Sequence, residues 1–286
     1  MIREPAVAGT FYPDSPEELK AEIKKCIKDG PGEELKTRNI HGIISPHAGY
    51  SYSGVGAAYA HKALAESGYP ETLILLGPAH MIGANSIWLG SDWSTPIGKV
   101  EVDRELGREI AQDELFDINP DSHVSEHSLE VQLPFIQYFS QKHKLKLPKI
   151  VPILFSSTLN ADLAEKFAEI IYSKIKDKDV KIVVSSDFTH YGIGYGYLPF
   201  VGLNVKDKIY DLDKKAIEYI EKLDLKGFVE YVNKTEATIC GAFPISVVIS
   251  LAKKLGSKGA KLLKYYTSGD VVSSYSNSVS YAAIEF

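Results

Sequence analysis

Ile43-Ile44-Ser45-Pro46-His47-Ala48-Gly49-Tyr50 is an apolar run that opens into a loop carrying histidine. Two other stretches repeat the pattern: Leu73-Ile74-Leu75-Leu76-Gly77-Pro78-Ala79-His80 and Ile182-Val183-Val184-Ser185-Ser186-Asp187-Phe188-Thr189-His190. Short, continuous apolar runs punctuated by glycine and proline read as strands buried on both faces, the habit of parallel sheets covered by helices. In open α/β sheets, ligands sit outside the carboxyl ends of the strands. If the three runs are neighbouring parallel strands, His47, His80, Asp187 and His190 project from one rim. Histidine and aspartate converging there suggest a metal site or acid/base machinery.

Outward from these runs, helices and strands alternate. Asp14 or Ser15 caps a helix with Pro16 in its first turn, and Gly30-Pro31-Gly32 ends it. A strand at 40–45, a helix over about 54–67 and a strand at 72–76 make a βαβ unit, which predicts an adjacent parallel pair. Residues 85–102 read as a hairpin-like excursion. Further helices are expected at 103–112, 128–140, 160–175, 212–222, 225–232 and 242–255. Further strands are expected at 150–155, 181–185, 261–266 and 279–286, the last of them central. The predicted class is α/β, one domain over 1–286 with a mainly parallel or mixed sheet flanked by helices. A boundary near 205–210 is the alternative.

With 286 residues the chain can bury a large core without staples. Its 44% hydrophobic and 24% charged residues are ordinary for a globular protein. The net charge, 32 − 37 = −5, argues against non-specific nucleic-acid binding. No apolar stretch is long enough for a membrane span, and the N-terminus lacks the apolar core of a signal peptide. A cytoplasmic location is the expectation. With two cysteines, Cys26 and Cys240, no disulfide framework is expected. Cys26 fills an apolar position of an amphipathic helix and reads as packing.

Several residues have the chemistry for a site. His47 and His80 share a context of proline and glycine at a strand exit. Cys240, in Thr238-Ile239-Cys240-Gly241-Ala242-Phe243-Pro244, stands where a helix begins, and the positive end of a helix dipole favours thiolate. A His/His/Cys set suits zinc, copper or iron and leaves a position open. Asp187 and His190 could orient one another, with His190 as general acid/base. His123 and His127 lack the glutamate that a zincin helix requires. His127 reads as a residue supporting the site and His123 as a surface residue. His41, His61 and His143 read as solvated. Tyr191, Tyr195 and Tyr197, interleaved with glycines, could wall the pocket.

Six motifs together resemble the Memo family. They are Ala8-Gly9-Thr10-Phe11-Tyr12-Pro13, Pro46-His47-Ala48-Gly49-Tyr50, Gly77-Pro78-Ala79-His80, Glu126-His127-Ser128-Leu129-Glu130, Ser186-Asp187-Phe188-Thr189-His190-Tyr191 and Cys240-Gly241. The resemblance implies a fold like that of the class III non-haem iron extradiol dioxygenases. It also implies a metal pocket whose ligands map onto His47, His80 and Cys240. The expected function is a metal-dependent oxidoreductase holding iron or copper, with zinc possible, acting on a small-molecule or peptide ligand. His127, Asp187 and His190 would handle protons and orient substrate. The alternative is a binding module that keeps the pocket for a peptide or small anion. A weaker alternative is a cysteine hydrolase using Cys240 with His190.

Overall fold

The structure, a computed structural model, describes residues 2–156 and 158–286. Its strands in chain order are β1 (Gly42–Ser45), β2 (Thr72–Pro78), β3 (Ser86–Ile87), β4 (Trp93–Thr95), β5 (Gly98–Val100), β6 (Lys149–Phe155), β7 (Val180–Ser185), β8 (His190–Gly192), β9 (Lys261–Thr267) and β10 (Asn277–Glu285). Among the described residues eight of them form one sheet in the order β3-β6-β2-β7-β1-β10-β8, with β9 also paired to β10. β6, β2, β7 and β1 run parallel, and β3, β10, β8 and β9 join antiparallel. The sheet is therefore mixed, with a parallel centre. β4 and β5 form a separate hairpin.

Alternation along the strands builds the two covering layers. Ile44, Ile74, Leu76, Ile182 and Val184 face one core, shared with Phe167, Phe228 and Phe243 from helices Ala161–Ile175, Leu225–Thr235 and Ala242–Lys254. Ile43, Leu73, Leu75 and Val183 face the other, with Ala60 and Leu64 of helix Tyr50–Glu66 and Ile136 of helix Leu133–His143. Residues beyond 210 pack into the same core as the first strands: Ala216, Ile217 and Ile220 of helix Val205–Glu221 join Ile44 and Ile74. No described helix is long and apolar enough to cross a membrane.

Most predicted elements lie within a few residues of their observed bounds. Ser15 caps helix Pro16–Asp29 by accepting the Glu18 amide, and Asn160 caps the helix after it by accepting the Leu163 amide. β10 is an inner strand, flanked by β1 and β9. Helix Tyr50–Glu66 starts four residues before the predicted 54, because tertiary contacts extend it. The Tyr50 amide donates to Phe11 O at 2.8 Å and its hydroxyl to Val131 O at 2.6 Å.

One prediction of topology fails. β1 and β2 are not neighbours, because β7 lies between them and pairs with both. All three strands are apolar on both faces, so nothing in their residue pattern ranks them across the sheet.

Candidate metal centre

The strand register decides which side chains meet. Ser45 pairs with Ser185, and Val184 pairs with Leu76, so β1, β7 and β2 end at nearly one level. Pro46-His47, Ser186-Asp187 and Pro78-Ala79-His80 leave that rim together. The Asp187 carboxylate accepts the His47 amide at 2.8 Å, and Ser45 O accepts the Ser186 amide at 2.9 Å. His127 arrives on the loop before the short 3-10 helix Glu130–Gln132, and Cys240 just ahead of helix Ala242–Lys254. Two glycines allow these approaches. A Cβ on Gly77 would come within 2.7 Å of Leu129 Cδ2, and one on Gly241 within 2.4 Å of Ser186 Cβ.

His47, His80 and His127 each offer a ligand atom within 4.8 Å of the others, so this group could hold a metal ion. Their ring centroids lie 5.2 Å apart for His47–His80, 5.5 Å for His47–His127 and 4.8 Å for His80–His127. His47 is buried, whereas the His80 side chain is 30% exposed and that of His127 21%. The site thus opens at the rim. A cleft of about 590 Å³ lined by Asp92, Lys99, Arg104 and Arg108 shares no residue with it.

The chemistry of the donor set fits a metal. Glu126 is fully buried and gathers four N–H groups: the His80 amide at 2.6 Å, His80 Nδ1 at 2.9 Å, and the His127 and Ser128 amides at 2.9 Å each. Burial alone would raise its pKa, but the His80 ring and the backbone amides outweigh it and hold the carboxyl at about 2. A carboxylate only accepts, so His80 carries its proton on Nδ1 and presents a lone pair at Nε2. His127 Nδ1 faces the same carboxylate at 3.4 Å. Burial pushes His47 well below its ordinary value, and His80 and His127 add to the shift. Burial likewise lowers His127. Neutral imidazole is the form that binds metal.

Cys240 Sγ stands 3.1 Å from His47 Nε2 and accepts the Asp187 amide at 3.2 Å. Burial and then the Asp187 carboxylate push its thiol up, against the thiolate expected at a helix start. Removal from water outweighs the dipole. Burial pushes Asp187 up to about 6, although His190 and the His47 and Ala48 amides pull it down. Contrary to the expectation from their spacing, Asp187 does not hold the His190 ring. His190 Nδ1 instead lies 3.0 Å from Phe188 O and 3.1 Å from Thr238 O, so backbone carbonyls fix its tautomer.

The structure brings His47, His80, His127, Asp187, His190 and Cys240 to one rim, and adds residues that sequence reasoning did not assign. Glu126 precedes His127 in a motif already singled out. Phe11 sets its ring 4.7 Å from that of His127. His123 is buried, not at the surface, with Nε2 3.2 Å from Ser86 O. His61 is also buried, with Nε2 2.8 Å from Gln132 Oε1. Of the loop tyrosines only Tyr195 is exposed, with its ring 5.3 Å from that of His190. Tyr191 and Tyr197 are anchors whose hydroxyls donate to Phe200 O and Thr235 O.

Comparison with known proteins finds relatives along the whole chain. A family model described as "Memo-like protein" matches residues 3–285. A MEMO1 family protein of Methanopyrus kandleri is 37% identical over 297 residues, covering 100% of this chain and 99% of that one. One from Saccharolobus solfataricus is 40% identical over 300 residues with the same coverage. One from Nitrosopumilus maritimus is 38% identical over 293 residues, the whole of both chains. These names state a family and no reaction.

Proposed function

From the premise that the chain belongs to the Memo family, we propose that it is a metal-dependent oxidoreductase working at the His47, His80 and His127 rim. The observation that carries this reading is the trio of imidazoles within 4.8 Å, two of them facing one buried glutamate. Carboxylate-backed histidines are the usual outer support of a metal site. Cys240, beside His47 Nε2, is the fourth candidate donor, and a nitrogen and sulfur set suits iron, copper or zinc. Bound iron or copper would supply electron transfer to or from a substrate. The remaining roles belong to the chain's own side chains. Asp187, with its carboxyl at about 6, can take up or release a proton near neutrality beside the metal rim. His190 holds its proton toward carbonyls and leaves Nε2 to accept one. Phe11 and Tyr195 flank the histidines and would pack against a small-molecule or peptide ligand.

The test is elemental mass spectrometry on protein purified without oxygen, wild type beside His80→Ala/His127→Ala. About one iron or copper per wild-type chain, lost in the variant, is the expected result. No uptake by either chain after reconstitution with Fe(II), Cu(I) and Zn(II) would replace this reading with that of a ligand-binding module. Glu126→Gln should weaken Zn(II) binding by about tenfold to a hundredfold, because its amide nitrogen cannot accept from N–H groups. Chelator competition measures this, and wild-type affinity in the variant would remove Glu126 from the account.

A further inference from the structure

Behind His47 lies a line of polar groups that the proposed chemistry leaves unused. Ser185 ends β7 in full burial, and Gln132 and His61 are buried with it. Ser185 Oγ lies 2.5 Å from Ser128 O, 2.9 Å from Gln132 Nε2 and 3.0 Å from His47 Nδ1. A hydroxyl has one proton. Ser128 O can only accept, so at 2.5 Å that proton lies between the two oxygens. The lone pairs of Oγ are then left for Gln132 and His47, and both must donate.

A second contact orients Gln132. Its Nε2 also lies 3.0 Å from Pro46 O, another group that only accepts. A flipped amide would set oxygen against oxygen there, so the hydrogen-bond network assigns the orientation. Gln132 therefore donates to Pro46 and Ser185, and its Oε1 takes the proton of His61 Nε2 at 2.8 Å. The line stops at His61. That ring lies flat on Phe135, centroids 5.4 Å apart at 9°, and among the described residues its buried Nδ1 has no hydrogen-bond partner. One assignment remains for His47: proton on Nδ1, lone pair on Nε2, the nitrogen 3.1 Å from Cys240 Sγ.

We propose that Ser185 and Gln132 are positioning residues that lock His47 in the tautomer and ring plane required for metal capture. Neither touches the ion in this scheme, which rests on the metal reading above only for its purpose. Such outer partners fix the tautomer and orientation of metal-bound histidines.

The experiment compares wild type, Ser185→Ala and Ser185→Thr as full-length, metal-free chains with ¹⁵N-labelled histidine rings. Zn(II) affinity is then read by chelator competition. Wild-type His47 should report its proton on Nδ1. Ser185→Ala should mix the tautomers and weaken Zn(II) binding by about tenfold to a hundredfold, and Ser185→Thr, which keeps the hydroxyl, should restore both. If the alanine variant does not fold, Gln132→Glu replaces it, a variant of equal size that removes the NH₂ donor and should give the same two changes. A wild-type tautomer or wild-type affinity in the variant overturns the proposal. A wild-type chain that takes up no Zn(II) counts against the metal reading alone, and the ring spectra still decide whether Ser185 sets the His47 tautomer.

Discussion

Glu130→Ala should lower the free energy of unfolding by about 3–5 kcal/mol, the cost of stripping the partner from a buried charge. Glu130 has no exposed surface, and the Arg3 side chain that it pairs with is 2% exposed. One carboxylate oxygen takes the Arg3 guanidinium and the Ala6 amide at 2.8 Å. The other takes the Val7 amide at 3.0 Å and the Tyr12 hydroxyl at 2.6 Å. Arg3 also donates to His123 O at 3.0 Å and Glu126 O at 2.7 Å, and stacks on Trp93 at 4.1 Å. Alanine leaves the buried guanidinium and three further donors without their anion. The harm should extend to the histidine rim. Residues 3–12 form a strap over the loop that bears Glu126 and His127, and Phe11 on that strap touches His127. Urea denaturation of wild type, Glu130→Ala and Glu130→Gln measures this, and the glutamine variant should lose less. A loss below about 1 kcal/mol for alanine, the ordinary cost of a single substitution, would show that this carboxylate does not hold the strap.

Metal-free protein should lose about 4 kcal/mol of stability between pH 7.5 and pH 5 through two buried histidines. Burial lowers His61 to about 4 and His123 to about 3. Both pKa values are depressed, so the unfolded chain binds protons below about 6.5 while the folded chain does not. Stability is therefore whole above that value and falls as the solution is acidified. At 1.36 kcal/mol per unit, the 1.5 units from 6.5 to 5 remove roughly 2 kcal/mol for each ring. His47, also pushed down by burial, adds to the loss. Asp187 acts in the opposite sense. Its carboxyl is pushed up to about 6, so the folded chain binds a proton there first and regains about 1 kcal/mol by pH 5. Urea unfolding at the two pH values, repeated on His61→Gln and His123→Gln, provides the check. Each variant should flatten the dependence. Equal stability of wild type at both values would mean that these rings are charged where they lie buried.

His47 and His80 were legible because proline and glycine punctuate the strands that carry them, and a strand exit in an α/β sheet is a place with a known use. Cys240 and His190 were legible as chemistry but not as geometry. The sequence pattern cannot say that Asp187 turns to the His47 amide while backbone carbonyls hold His190. Glu126 was hidden because three of its four partners are backbone amides, which have no signature until the loop closes around them. His61 was hidden for a different reason. Helix Tyr50–Glu66 is buried on nearly all sides, with Ala57, Ala58, Ala60 and Ala63 among its buried residues, so it has no polar face to mark a polar residue as out of place. The order of β1, β7 and β2 was hidden because three equally apolar strands are interchangeable in pattern.

That strand order also sets a schedule. A chain is made from its N-terminus, and His47, His80 and His127 emerge well before β7. The serine that meets the His47 ring lies 138 residues after it, and the cysteine beside that ring 193 residues after it. Until the strand that spaces β1 from β2 has been made and inserted, the three imidazoles have no common rim. A growing chain therefore shows its histidines to passing ions one at a time, as loose single donors. Any grip on a metal would belong to the finished sheet, after β7 has taken its place between β1 and β2.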